Sequence, residues 1–237
     1  MNIQFEMSSK NTNSSIFPKK KKQKLTKAHK QKRIEYATET LQKDWKQVLF
    51  TDEKSFWLGT TSTHAWQQLD DRIEEDYEKY TPKLHVWGAL GYYFKSDLYY
   101  FEQNLDGQLY QTIISNRLPP KYVAPDCPQS KKKQWHFLQD NDPKHKAAGS
   151  MTLLKCLTKN RIYKHPPNSP DLNIMEDVWS YLDREVKKSK VKSIKGLKRK
   201  LTQLWRELAW AEFRPSVDSM PTRLQQVLDR EGARTDY

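Results

Sequence analysis

The chain has 237 residues, with 42 Lys and Arg against 29 Asp and Glu, a formal charge of +13 and a pI near 9.5. That excess favours a polyanionic partner, nucleic acid ahead of an anionic membrane surface, and leaves chemistry and sequence specificity open. Cys127 and Cys156 are too few for a disulfide framework or a Cys-rich zinc site, and no GxxxxGK(S/T) or GxGxxG run offers a phosphate cradle, so no nucleotide cofactor is expected.

No apolar run approaches the ~18–20 residues of a membrane span and no signal-peptide core is present, so the chain reads as soluble and intracellular, without a membrane partner. Residues 1–17 are polar, aperiodic and rich in Asn and Ser. PKKKKQK at 18–24 is dense enough for nuclear import or phosphate contact, or is a solvated tail. The expectation is a disordered basic tail over 1–24 and a nuclear location.

From Leu25 to about Gln42 the pattern suits an exposed helix with Ile34, Tyr36, Ala37 and Leu41 near one side. Gln47–Thr51 and Ser55–Leu58 read as two short strand-like runs, which puts Asp52 at a strand end or turn. The acidic stretch 59–83 reads as a protruding loop or small hairpin. His85–Leu90 and Asp97–Phe101 are rich enough in aromatic and β-branched residues to be strands. Asp106 precedes a helical pattern that Pro119-Pro120 ends.

Trp135–Leu138 is expected as a strand with Asp140 just past its end, followed by a helix from about Ala147 to Thr158 and a strand at Arg161–Tyr163. After the rigid loop 166–170, Asn173 can cap a helix with Glu176 in its first turn and Val178, Trp179, Leu182 and Val186 as its apolar face. Further helices are expected from Ile194 to about Leu208 and from about Pro221 to Arg230. The order is mixed α/β, with three early strands before the first crossover.

Asp52 in LFTDEKSF, Asp140 in FLQDNDPKH and Glu176 in NSPDLNIMEDVW each adjoin a short apolar run. Converging carboxylates suit a pair of Mg²⁺ ions, because hard divalent cations take oxygen ligands and two of them can clamp a phosphodiester. Taken singly each is weak, since an Asp after a strand is more often a turn or cap residue. Three motifs change that weight. TDEKSF looks like (S/T)DE(S/K)xF, QDNDPKH at 139–145 matches a second-Asp motif, and NSPDLNIMEDVW at 168–179 looks like SPDLNPIExxW. Together they resemble the catalytic domain of Tc1/mariner-family DNA transposases, and VDSMPTRLQQVL at 217–228 resembles that family's C-terminal helix.

The resemblance covers about Leu25 to Tyr237. It implies a ribonuclease H-like fold, a mixed five-stranded sheet flanked by helices, with the catalytic domain over 25–237 and a clamp-type loop at 59–83. The 35 residues between Asp140 and Glu176 are one more than is typical of the Glu-ending members, a difference a loop absorbs at little cost. Ile174 stands where the family usually has Pro, which loosens the helix entry but removes no ligand. The segment ahead of Asp52 does not read as the paired helix-turn-helix modules of the family, so those modules are expected to be absent.

The resemblance implies that Asp52, Asp140 and Glu176 are the catalytic and metal-holding residues, for two Mg²⁺ or Mn²⁺ ions. It also implies DNA partners, the transposon ends and a TA target, and a homodimer. The reaction would be 3′-end cleavage followed by strand transfer. The alternative is a domesticated or truncated derivative that binds DNA without transposing. Lys144, His145 and Lys146 could approach the scissile phosphate or flanking DNA, or His145 could pack or cap. Asp142 reads as an auxiliary or turn residue and Asp171 as a loop-ordering group. The basic run from Lys187 to Lys200 reads equally as a backbone-tracking face or a solvated helix surface.

Overall fold

A computed structural model describes residues 24–58, 82–132 and 134–237. The expected basic tail up to residue 23 and the expected loop over 59–81 lie outside the described residues. Lys83 already opens a strand.

Strand β1 (Val48–Trp57) is the spine of the sheet. Side chains alternate between faces along a strand, so Val48 and Phe50 enter one core and Leu49 the other, all fully buried. β1 pairs antiparallel with β2 (Lys83–Leu90) from Phe50↔Leu90 to Trp57↔Lys83. On its other side it pairs parallel with β6 (His136–Gln139) only over Val48–Phe50. The expected break at Asp52 is therefore corrected: the strand runs straight through it. The polar triplet Asp52-Glu53-Lys54 marks where β6 stops, leaving β1 paired on one side and its side chains half-buried.

The sheet order is β5 (Tyr122–Val123), β3 (Phe94–Lys95), β2, β1, β6, β7 (Ile162–Lys164), with β4 (Tyr99–Phe101) also on β2. Among the described residues seven strands stand where five were expected. The extra pieces β3 and β5 have two residues each, too short for any period to register.

Helices cover both faces. Against Leu49 and Phe137 lie α2 (Gly107–Arg117) and α4 (Ala148–Thr158). Asp106 caps α2, accepting the Leu109 N–H at 2.7 Å. A short turn of helix, α3 (Pro143–Lys146), bridges β6 to α4. Against Val48 and Phe50 lie α5 (Met175–Lys188) and α6 (Ile194–Glu207), with α1 (Lys27–Thr40), α7 (Trp210–Asp218) and α8 (Met220–Asp229) extending that layer.

The C-terminal end of α6 is closed by a buried lysine. Lys95 Nζ donates to the carbonyls of Trp205 and Leu208, both at 3.1 Å, and Trp205 Nε1 donates to Ser96 O at 2.7 Å. Helix C-termini present unpaired carbonyls and partial negative charge, and one ammonium answers both. Helix α1 also differs from expectation. Its buried residues are Arg33, Tyr36, Ala37 and Thr40, because it packs against α8 rather than standing in solvent.

Candidate active site

Alternation along β1 sends Asp52 to the α5 face and its neighbour Glu53 to the α2 and α3 face. Asp52 Oδ2 accepts the indole N–H of Trp179 at 2.9 Å. Trp179 is fully buried against Phe56 and Trp205, so the donor is fixed. Burial pushes the Asp52 carboxyl well above the usual carboxylate range, with the charges of Glu53 and Glu176 adding to the rise.

Asp140 follows the last residue of β6, where the chain leaves the sheet beside Asp52's strand. Burial works to raise its pKa, but a 2.7 Å bond from His145 Nδ1 and a 3.0 Å bond from the Asp142 N–H outweigh it and bring it to about 2. His145 is buried on α3, and its Nε2 meets Glu53 Oε1 at 3.1 Å. Burial alone would lower the imidazole's pKa, but a carboxylate on each nitrogen raises it to about 9. Glu53, His145 and Asp140 thus form one chain from the second face of the sheet to the cleft.

Glu176 sits in the first turn of α5. The loop before it is fixed from several directions. Asn173 Nδ2 donates to Thr51 O at 3.2 Å and its Oδ1 accepts the Met175 N–H at 3.2 Å, so one side chain ties the strand of Asp52 to the helix of Glu176. Arg33, with no accessible surface, forks onto Asp171 at 2.9 and 2.7 Å and donates to Gly232 O and Ala233 O, both at 3.0 Å. Asp171 also accepts the Thr235 N–H at 2.9 Å. Arg223 of α8 donates to Asp171 O at 3.1 Å and to Asp177 Oδ2 at 2.6 Å.

Asp52, Asp140 and Glu176 line one cleft of about 380 Å³, with Asn141, Asp142, His165 and Asn173 among its walls. Burial holds His165 neutral, at a pKa of about 4. Among the described residues no three His, Cys, Asp or Glu side chains stand close enough to form a ready metal cluster. Two of the three carboxylates are turned onto protein donors, Asp52 onto Trp179 and Asp140 onto His145.

Lys144 donates to Asp142 at 2.5 Å, Lys146 is exposed, and neither lines the cleft. His145 is buried between two carboxylates rather than presented to solvent. Sequence reasoning passed over Glu53 and Arg33, and read Trp179 only as apolar surface. A carboxylate directly after a candidate ligand in a strand was a signal for Glu53. An Arg on the core side of a helix pattern was one for Arg33.

The family model for DDE superfamily endonucleases matches residues 47–198. The chain is similar to the transposable element Tcb1 transposase of Caenorhabditis briggsae, 26% identical over 227 residues that cover 92% of this chain and 81% of that protein. It is similar in fold to the Mos1 transposase paired-end complex with left transposon end, with a TM-score of 0.74 at 13% identity over 94% of this chain and 68% of that one. The Mos1 transposase catalytic domain solved with raltegravir and Mg aligns with a TM-score of 0.70 at 15% identity, over 90% of this chain and all of that one. The shared fold is the ribonuclease H-like arrangement of a mixed sheet between helical layers.

Proposed function

Because the chain belongs to the DDE superfamily endonuclease family, as a transposase catalytic domain of the Tc1/mariner type, we propose that it cuts DNA and joins the resulting 3′ end to a target. The observation that carries the proposal is the convergence of Asp52, Asp140 and Glu176 on one cleft from β1, the end of β6 and the first turn of α5.

The donor set fits a hard divalent cation: three carboxylates, all oxygen, with Asp52 raised by the charges of its acidic neighbours as well as by burial. Asp52, Asp140 and Glu176 would hold two Mg²⁺ or Mn²⁺ ions, which supply Lewis acidity at the attacking and departing oxygens. Mg in the similar Mos1 domain supports that choice.

The chain's own groups do the positioning. Trp179 fixes one oxygen of Asp52, whose side chain lines the cleft. His145 and the Asp142 N–H keep Asp140 anionic. Asn173 couples the strand of Asp52 to the helix of Glu176, and Arg33 with Arg223 anchors the turn that leads into it. No Ser or Tyr nucleophile is required, since water and then a DNA 3′-hydroxyl can attack phosphorus directly.

DNA as transposon end and TA target, the homodimer and the nuclear location belong to the same proposal. The transposon-end complex of Mos1 and the +13 charge support the first. Lys144 and Lys146 are the proposed phosphate contacts beside the cleft, with His145 as a brace for Asp140 rather than a contact. The test is transfer of a pre-cut 3′-hydroxyl DNA end into a plasmid with Mg²⁺ or Mn²⁺. Joining at TA by the wild type, abolished in Asp140→Asn with DNA binding retained, is expected. Equal joining by Asp140→Asn would remove Asp140 from the site. No joining by a wild-type protein that binds metal and DNA would leave a DNA-binding derivative.

A further inference from the structure

We propose that the outer face of α6 is a docking surface for the phosphate backbone of duplex DNA, separate from the acidic cleft. The proposal rests on DNA being the partner and not on the metal chemistry.

Helix α6 has two stripes. Leu197, Leu201, Leu204 and Trp205 are buried against β2 and α5. On the other side Lys195, Lys198, Arg199, Thr202 and Arg206 recur at helical spacing, and its four cations are exposed. Among the described residues none of these four makes an ion pair with a carboxylate.

Helix energetics explain only part of that charge. Cations are favoured near a helix C-terminus and anions near the N-terminus. In α6 the first turn holds no acid, the lysines crowd the N-terminal half, and the last turn holds Arg206 beside Glu207, so the dipole accounts for Arg206 and not for Lys195, Lys198 or Arg199. Helix α5 shows the ordinary arrangement: Glu176 and Asp177 open it, and Lys187 and Lys188 close it. Those two lysines are paired with Asp183 and Glu185 at 2.6 and 2.8 Å. The basic run read from the sequence as one face therefore divides into a neutralised part on α5 and an unneutralised part on α6.

The neighbouring strand supports the same face. Lys198 Nζ lies 5.2 Å from the centre of the Tyr100 ring and the Arg117 guanidinium 5.0 Å from that of Tyr99. An aromatic face orients a cation without cancelling its charge. Three surface hollows meet at Lys198. The nearby acids are Asp97, engaged by Lys121 and Tyr122, Glu102, and Glu207, engaged by Gln203.

From Lys195 to Arg206 the stripe runs about 16 Å at the helical rise, close to five phosphate steps along one strand. A line of charge suits a backbone better than a membrane. Of the large apolar residues exposed among the described residues, which a membrane surface would engage, Trp57 and Tyr237 line none of the hollows along this stripe, and Val123 meets only its end, at Arg206.

The test compares Lys195→Gln, Lys198→Gln, Arg199→Gln and Arg206→Gln combined with a control, Lys187→Gln and Lys188→Gln combined. Binding to a random-sequence duplex is measured in chelator by fluorescence anisotropy between about 50 and 200 mM salt, alongside binding to vesicles containing phosphatidylserine. At about 0.9 per phosphate contact, the slope of log affinity against log salt should flatten by about 2–4 in the quadruple variant and stay unchanged in the control. An unchanged slope in the quadruple variant, or a loss confined to vesicle binding, would overturn the proposal. Joining of a pre-cut end, run in parallel, separates the two readings. A wild type that joins while the slope stays put defeats only this surface. A wild type that fails to join while the slope flattens defeats only the catalytic reading.

Discussion

Replacing Arg33 with Met is expected to destabilise the fold far more than any exposed ion pair could. Arg33 and the Asp171 side chain have 0% and 3% of their surfaces exposed, so the variant leaves a buried carboxylate with the Thr235 N–H and, at a looser 3.9 Å, the Arg234 guanidinium as its partners. Removing one member of a buried pair costs about 3–5 kcal/mol. The carbonyls of Gly232 and Ala233 lose their donor as well. For a domain of this size the midpoint of thermal unfolding should fall by roughly 6–20 °C. Lys187→Ala, which breaks the exposed pair with Asp183, should cost at most about 0.5 kcal/mol.

The pH dependence follows from the same bonds. Burial alone would raise the pKa of Asp171, but the Arg33 fork and the Thr235 N–H hold it below the usual range. A depressed folded pKa contributes stability above the unfolded value near ~3.9, lost as pH falls through the folded one. Without Arg33 the carboxyl rises, so Asp171 contributes less stability at neutral pH and the gap between variant and wild type should narrow as pH falls through the acid range. Urea unfolding across pH reads both effects. A loss below about 1 kcal/mol at neutral pH would refute the account of this pair.

Glu53→Gln should lower the pKa of His145 from about 9, read by NMR titration of its ring in metal-free protein. A raised folded pKa stabilises fully below the unfolded value near ~6.5 and fades as pH rises through about 9, so the variant should lose that window. An unmoved titration would sink the brace. Trp179→Phe removes the donor that lowers Asp52, so the acid limb of the joining profile should move to higher pH; a fixed limb would count against the bond. Gly232 has φ of +79° and a Cβ there would sit 2.4 Å from Lys30 O. Gly232→Ala should cost about 1–3 kcal/mol in urea unfolding, and a cost within about 0.5 would contradict that geometry.

What the sequence made legible depended on how local the signal was. Asp140 past a strand, Asp106 before a helix and Glu176 at a helix start rest on contiguous patterns, and the structure has each there. Asp52 reads from the sequence as a strand end or turn because three polar residues interrupt its apolar run. The partner strand β2 that carries β1 through them comes from 30 or so residues later. Pro215 hid α7, since proline inside a helix normally argues against one. Asn173 was read as a cap. The cap position of α5 is Ile174, which makes no side-chain cap bond; Asn173 lies one residue earlier, where it bonds the Met175 N–H two residues on and Thr51 O 122 residues away. The α1 pattern puts Arg33 on the core side but could not show what neutralises it, because its acidic partner lies 138 residues downstream.

The bond from Thr235 to Asp171 spans 64 residues, and Arg33 grips Asp171 and the 232–233 carbonyls with the same guanidinium. Chains are made from one end and domains begin to fold as they emerge. A nascent polypeptide therefore carries Asp52, Asp140 and Glu176 well before it carries the groups that seat the turn leading to Glu176. The fold withholds a settled turn before Glu176 from any chain that has not yet reached residues 232–235.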